Sequence, residues 1–253
     1  MIIEMSYRSK SGHIGSAFSI VDILTVLYFR VMNISPKRPE DPGRDRFILS
    51  KGHGASALFA TLALRGFFPI KELKRYRINK GRFHGHPCKG TAPGIEISTG
   101  SLGHGLSIGA GMALALKKTK PKVKIFVLLG DGECQEGSVW EAAMFSFTHN
   151  LKNLIVIVDA NNFQAFGKTS KISTRPLSLI WKGFGWQVMH CDGHNEKSIA
   201  QSLFAARKAS RPTVIIAKTI SGKGIPSIEN TLEAHYHVLD EKEYLKIKKI
   251  YEK

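Results

Sequence analysis

Two short runs, Gly130-Asp131-Gly132-Glu133 and Asp159-Ala160-Asn161-Asn162, hold the side chains best suited to chemistry in this chain of 253 residues. Asp131 offers a hard carboxylate oxygen and Asn161 an amide oxygen. Mg²⁺ takes such donors alongside phosphate oxygens in near-octahedral geometry, with Ca²⁺ an admissible substitute. A backbone carbonyl just beyond, at Phe163, completes the predicted metal set. Gly130 and Gly132 lack a Cβ, so backbone there can approach a phosphate closely. Each run follows a continuous apolar, β-rich stretch, Lys124 to Leu129 (KIFVLL) and Leu154 to Val158 (LIVIV), which reads as a buried parallel strand. Residues 135–150 have the apolar spacing of a helix whose N-terminus would face the same anion. Ligands of open α/β sheets collect at the carboxyl ends of strands, and both runs fall there. Either run alone would read as an ordinary turn, since Gly, Asp and Asn dominate turns. Together, in this order, they predict a diphosphate held with a divalent cation.

The pair of runs resembles the thiamine diphosphate-binding motif common to several enzyme groups. Further segments, SGHIGSAFS (11–19), LSKGHGA (49–55), GHP (85–87), TGSLGHG (99–105), GDGECQEGSVWEA (130–142) and KTISGKG (218–224), resemble transketolase, in the same order and over essentially the whole chain. SGHIG replaces the commoner SGHPG without touching the histidine. The resemblance implies thiamine diphosphate as cofactor and transfer of a two-carbon glycolaldehyde unit from a ketose phosphate to an aldose phosphate. It places His13 and His86 against the substrate near the reacting carbonyl, and His53 and His235 beside the diphosphate and thiazolium. His237 competes with His235 for that place, because the family's WHG stands here as AHY. Histidines suit proton handling near neutral pH. Ser16, Gly100, Leu102, Gly132, Asn161 and Lys218 are implied at the cofactor, Arg77 at the substrate's terminal phosphate, and Glu136 at a subunit interface linking active sites.

The chain is shorter than a full transketolase, so the resemblance implies an N-terminal subunit comprising one diphosphate-binding domain over residues 1–253. A separate C-terminal subunit would carry the pyrimidine-binding and C-terminal domains, and with them the glutamate that activates the cofactor. This chain alone should then be inactive, and two copies with two partners should form a heterotetramer. Relatives usually carry a longer helical lead before SGHIG, which makes Met1 a candidate late start. An α subunit of a 2-oxo acid dehydrogenase, or another carboligase, would keep the metal motif but not the His13, His53 and His86 set.

The elements needed to position these residues alternate: helical periodicity over 20–31, 55–64, 106–116 and 196–209, and strands over 125–129, 154–158, 186–191 and 213–217. Such alternation predicts an α/β fold, a doubly wound parallel sheet with helices on both faces. The charged segment 240–253 reads as a surface helix. A composition of 43% hydrophobic and 23% charged residues fits one globular domain. Three cysteines without metal spacing point to free thiols. No apolar stretch reaches the roughly 20 residues of a membrane span and the N-terminus lacks a secretory pattern, so a cytoplasmic location is expected. The net charge of +17 includes a basic segment at 71–89 that could hold nucleic acid nonspecifically. No nucleic-acid motif accompanies it, so specific nucleic-acid binding is not expected.

Overall fold

The computed structural model describes residues 1–173 and 175–251. Helices α1 (Ile2–Arg8), α2 (Ile14–Phe18) and α3 (Val21–Val26) lead into strand β1 (Arg46–Leu49) and helix α4 (Ala55–Arg65). Helix α5 (His104–Thr119), strand β2 (Ile125–Gly130), helix α6 (Gly137–Thr148) and strand β3 (Leu154–Ala160) follow. A two-residue hairpin, β4 (Phe163–Gln164) and β5 (Gly167–Lys168), precedes α7 (Leu177–Gly183), β6 (Gln187–Asp192), α8 (Glu196–Arg207), β7 (Thr213–Lys218) and α9 (Glu241–Tyr251).

The main sheet has the order β1-β2-β3-β7-β6 and is parallel throughout. Alternate residues of its central strands feed opposite faces, as a two-residue period requires. Phe126, Leu128, Ile155, Ile157 and Ile215 pack with residues of α3, α4 and α8. Val127, Leu129, Val156, Val158 and Ile216 pack with α5, α6 and Trp181 of α7. This is the α/β, doubly wound sheet with helices on both faces that the alternation of elements predicts. Its register aligns Gly130 with Asp159 and Ala160 with Lys218, so the segments leaving the strands emerge side by side along one edge.

Several local differences have physical causes. Strand β1 escapes a periodicity reading because it has four residues and opens on a charge. The expected helix over 20–31 is α3 continued by a π-helical turn at Leu27–Val31. The C-terminal helix forms at Glu241–Tyr251; residues 252 and 253 of the expected span lie outside the described residues.

A third apolar cluster joins Ile14 of α2 to Ile225, Ile228, Ala234, Leu239 and Ile247, folding the C-terminal part of the chain over the SGHIG segment. That contact depends on Gly15, where an added Cβ would lie 2.6 Å from the Ala234 Cβ and 2.7 Å from its carbonyl oxygen. Gly15→Ala should therefore destabilise the chain by about 1–3 kcal/mol through overpacking. Gly111→Ala, in α5 with nothing within 4 Å of the added methyl, should be neutral or stabilising by about 0.5–1 kcal/mol. Denaturant unfolding of the two variants measures both signs.

Candidate active site

At the carboxyl edge of the sheet the strand ends enclose a cavity of about 440 Å³. It is lined by His13, Ser16, Lys51, His53, His86, Gly100, Leu102, Asp131, Gly132, Glu136, Asn161, Phe163 and His235, among others. Thus every site residue expected from the sequence lies at one cavity, apart from Lys218 and Arg77.

Asp131 sits just past β2 and is buried. Its Oδ1 accepts the Gly132 N–H (2.9 Å), and its Oδ2 accepts the Asn162 N–H (2.7 Å) and the Thr169 hydroxyl (3.3 Å). Burial, and then the nearby Asp159 carboxylate, push its pKa up from 3.8 to about 7. A cation in the cavity would relieve that cost. Asn161, past the end of β3, turns its Oδ1 to the Phe163 N–H (2.9 Å) and its Nδ2 to Asp159 (3.0 Å). No three His, Cys, Asp or Glu side chains among the described residues converge as a metal cluster. The donor set thus suits a hard cation that brings phosphate and water oxygens with it. Ser16 Oγ and Gln135 Nε2 are buried at this cavity with no partner among the described residues, and both could serve a polar ligand.

The glycine run is built differently from the expected anion cradle. The Gly130 N–H donates to Glu133 Oε2 (3.0 Å), the Asp131 N–H to the Asp159 carbonyl (3.2 Å) and the Gly132 N–H to Asp131. These amides are engaged within the protein. A 3₁₀ turn at Glu133–Gln135 also intervenes, so α6 begins at Gly137 rather than Gln135. The absent Cβ of Gly132 serves contact with Gln164 of β4, which would lie 3.0 Å from it.

Glu133, buried within this turn, accepts from the Ser50 hydroxyl and, at 2.9 Å, from the Gly103 N–H. It ties the TGSLGHG loop and the end of β1 to the end of β2. Burial raises its pKa, against the pull of these hydrogen bonds. In the same loop Gly100 adopts φ +151°, and an added Cβ would meet the His86 ring at 3.3 Å. The glycine makes room for that imidazole.

His13, His53 and His235 gather with their ring centroids 5.2–5.8 Å apart. His13 holds φ +67° at the start of α2, and its N–H donates to the His235 carbonyl (3.0 Å). The two segments therefore place each other. Burial foremost, with the neighbouring His235, lowers the His13 pKa from 6.5 to about 4. Burial also depresses His53 strongly and His235; His86 is lowered by burial and by Arg77. These rings are neutral at pH 7, below the near-neutral pKa range anticipated for them. Between the two candidates, His235 lines the cavity whereas His237 is bonded to Glu243 at 2.6 Å.

Lys218 is not brought to the cavity: it ends β7 with an exposed side chain while Ala217 beside it is buried, as strand alternation dictates. The lysine at the cavity is Lys51, which sequence reasoning passed over inside SKGHG. It is 1% exposed and ion-paired with Asp159, which is itself fully buried. A buried pair between residues 108 positions apart has no spacing signature in the sequence. Arg77 is exposed and stands over the loop before His86, its Nη1 3.0 Å from where a Gly85 Cβ would be. It neighbours the cavity without lining it. Glu136 is the residue before α6, its side chain exposed and making no capping hydrogen bond, and it lines the cavity.

The family model for "Transketolase, thiamine diphosphate binding domain" matches residues 2–252. The chain belongs to the transketolase family. A curated relative from Actinobacillus succinogenes, one polypeptide of an apulose-4-phosphate transketolase, is 45% identical over 94% of this chain and 87% of that one. A 6-deoxy-6-sulfo-D-fructose transketolase subunit from Clostridium sp. is 42% identical, over 91% of this chain and 84% of that one. The solved transketolase from Campylobacter jejuni superimposes with a TM-score of 0.92 at 33% identity, covering 98% of this chain. The chain spans 40% of the length of that transketolase. Membership of this family sets the 2-oxo acid dehydrogenase alternative aside.

Because folding lowers the His13 pKa, the unfolded chain binds its proton more readily. Stability from this residue is present above pH 6.5 and is lost as pH falls from 6.5 toward 4. An NMR pH titration should find the His13 ring neutral until about pH 4; a midpoint near 6.5 would contradict the buried cluster.

Proposed function

We propose that this chain is the N-terminal, diphosphate-binding subunit of a thiamine diphosphate- and Mg²⁺-dependent transketolase, moving a two-carbon ketol unit between sugars. The observation that carries this reading is the convergence of Asp131 and Asn161 with His13, His53, His86 and His235 at one cavity. Asp131, the Asn161 Oδ1 and the Phe163 carbonyl would hold the cation. Ser16, His53, Leu102 and His235 would hold the cofactor. When bound, thiamine diphosphate supplies an electron sink for the migrating unit.

The chain's own residues then have separable tasks. His13 and His86 are neutral imidazoles, each offering one N–H donor and one acceptor nitrogen. They can orient sugar hydroxyl and carbonyl oxygens and relay a proton without presenting a fixed charge. Arg77 stands by the mouth, where a guanidinium suits a terminal anionic group. The substrates proposed are therefore ketoses and aldoses with such a group. The names of the relatives, for apulose 4-phosphate and a sulfonated fructose, fit this class and widen it beyond the pentose phosphates.

A second polypeptide is proposed to complete the active site, consistent with relatives named as subunits and with the share of the solved transketolase that this chain spans. At the cavity rim Phe166 is 89% exposed and Ile172 is also exposed, apolar surface of the kind that a partner covers. A heterotetramer of two such chains with two partners follows from that reading, with Glu136 at its interface. None of the described helices is long and apolar enough to cross a membrane.

Ketol transfer should be assayed with thiamine diphosphate and Mg²⁺, using xylulose 5-phosphate and ribose 5-phosphate first and other anionic ketoses next. This chain alone should be silent, and its mixture with the co-encoded C-terminal half active. Activity of the chain alone would overturn the split-enzyme reading. Asp131→Ala should abolish metal-dependent cofactor binding in calorimetry, and an unchanged affinity would remove the metal assignment.

A further inference from the structure

The Asp159 carboxylate, fully buried at the end of β3, gathers donors from segments far apart in the chain. Its Oδ2 accepts from the Lys51 ammonium, from the Ser19 hydroxyl (2.6 Å) and from Asn161 Nδ2 (3.0 Å). Its Oδ1 accepts from the Thr219 hydroxyl. Every partner is a donor. An asparagine here would keep a single oxygen for the Lys51, Ser19 and Asn161 donors, lose the charge that pairs with Lys51, and turn an NH₂ toward the Thr219 hydroxyl.

Asp159 and Asn161 are two residues apart where the extended chain leaves the sheet, so their side chains emerge on the same side. One end of the Asn161 amide faces a carboxylate oxygen and the other faces the Phe163 N–H at 2.9 Å. Reversing the amide would set oxygen against oxygen at one end and N–H against N–H at the other. We infer that Asp159 is a positioning residue for the cation site: it fixes the Asn161 amide so that its oxygen, and not its NH₂, is the end available to a metal. The inference rests on the reading of Asn161 as a cation ligand. Lys51 supports it one step further out. With its Nζ also donating to the Ser16 carbonyl (3.2 Å), Lys51 pairs with Asp159 and holds it in place without a direct contact to Asn161.

Hydrogen exchange and binding test this separately. In the wild-type chain the side-chain amide protons of Asn161 should exchange with solvent much more slowly than those of the exposed Asn150, read by heteronuclear NMR without ligand. Calorimetry with thiamine diphosphate and Mg²⁺, on the chain with its partner where binding requires it, should show metal-linked affinity falling about 10–100-fold in Asp159→Asn. In the double variant Asp159→Asn/Asn161→Asp, side chain 161 presents oxygen at both ends and needs no orienting group, so most of the affinity should return. A role for Asp159 confined to the Ser19 and Thr219 hydroxyls would not be relieved by that exchange. Fast exchange at Asn161, unchanged affinity in Asp159→Asn, or no recovery in the folded double variant would each overturn the inference. If Asp159→Asn does not fold, the wild-type exchange rate decides. Slow exchange in a wild-type protein that shows no metal-linked binding would instead fell the metal reading of Asn161, and the positioning role with it.

Discussion

The ion pair between Lys51 and Asp159 is the constraint around which the rest of the site is arranged. Two charges with almost no exposure cost several kcal/mol each to desolvate, and their attraction offsets this only when further hydrogen bonds satisfy both groups. Asp159 therefore draws in Ser19, Asn161 and Thr219, and Lys51 takes the Ser16 carbonyl. Those residues belong to SGHIGSAFS, SKGHG, DANN and KTISGKG. Motifs that lie far apart in the sequence thus converge because a buried carboxylate and a buried ammonium each need partners. The parallel register makes this feasible, since it aligns the ends of β2, β3 and β7.

Glu133 plays the corresponding part on the other side of Asp131. Its oxygens collect Ser50, Gly103 and Gly130, fixing the TGSLGHG loop against the strand ends. This arrangement consumes amides that would otherwise face an anion. What the cavity gains is rigidity: its walls are hydrogen-bonded to one another, and among the described residues Ser16 Oγ and Gln135 Nε2 are the buried side-chain groups at it left without a partner. A site held by packing and secondary hydrogen bonds keeps its geometry before any ligand arrives.

The parts legible from sequence are those with a local signature. Strands β2, β3 and β7 are runs of apolar residues because both faces of the sheet are covered, and the helices flanking them carry their own periodicity. The histidine positions came from motif order rather than from periodicity. Strand β1 was hidden by its brevity, and β4 and β5 are two residues each. The choice between Lys51 and Lys218 depends on strand pleat and on where the chain turns inward, neither of which a motif encodes. The choice between His235 and His237 depends on Glu243 of α9 capturing the latter, a contact set by the packing of the third apolar cluster. The roles of Asp159 and Glu133 were hidden for a related reason: hydrogen bonds between distant segments leave no spacing to read.

The distribution of charge separates recognition from chemistry. A chain of net charge +17 nevertheless surrounds its cavity with groups that carry little net positive charge. Lys51 is neutralised by Asp159, and His13, His53, His86 and His235 are held uncharged by burial. The cationic excess lies outside, including Arg77 and the exposed residues Lys74, Arg75 and Lys80 close to it in the chain. Exposed charge of one sign raises the local concentration of an oppositely charged ligand and is screened by salt. Neutral donors and acceptors inside bind by direction instead, and can exchange a proton without first breaking a strong ion pair. In the proposed reading an anionic sugar is drawn by the surface and oriented by the imidazoles, so a change in surface charge should act on encounter while a change at His13 acts on the bound geometry.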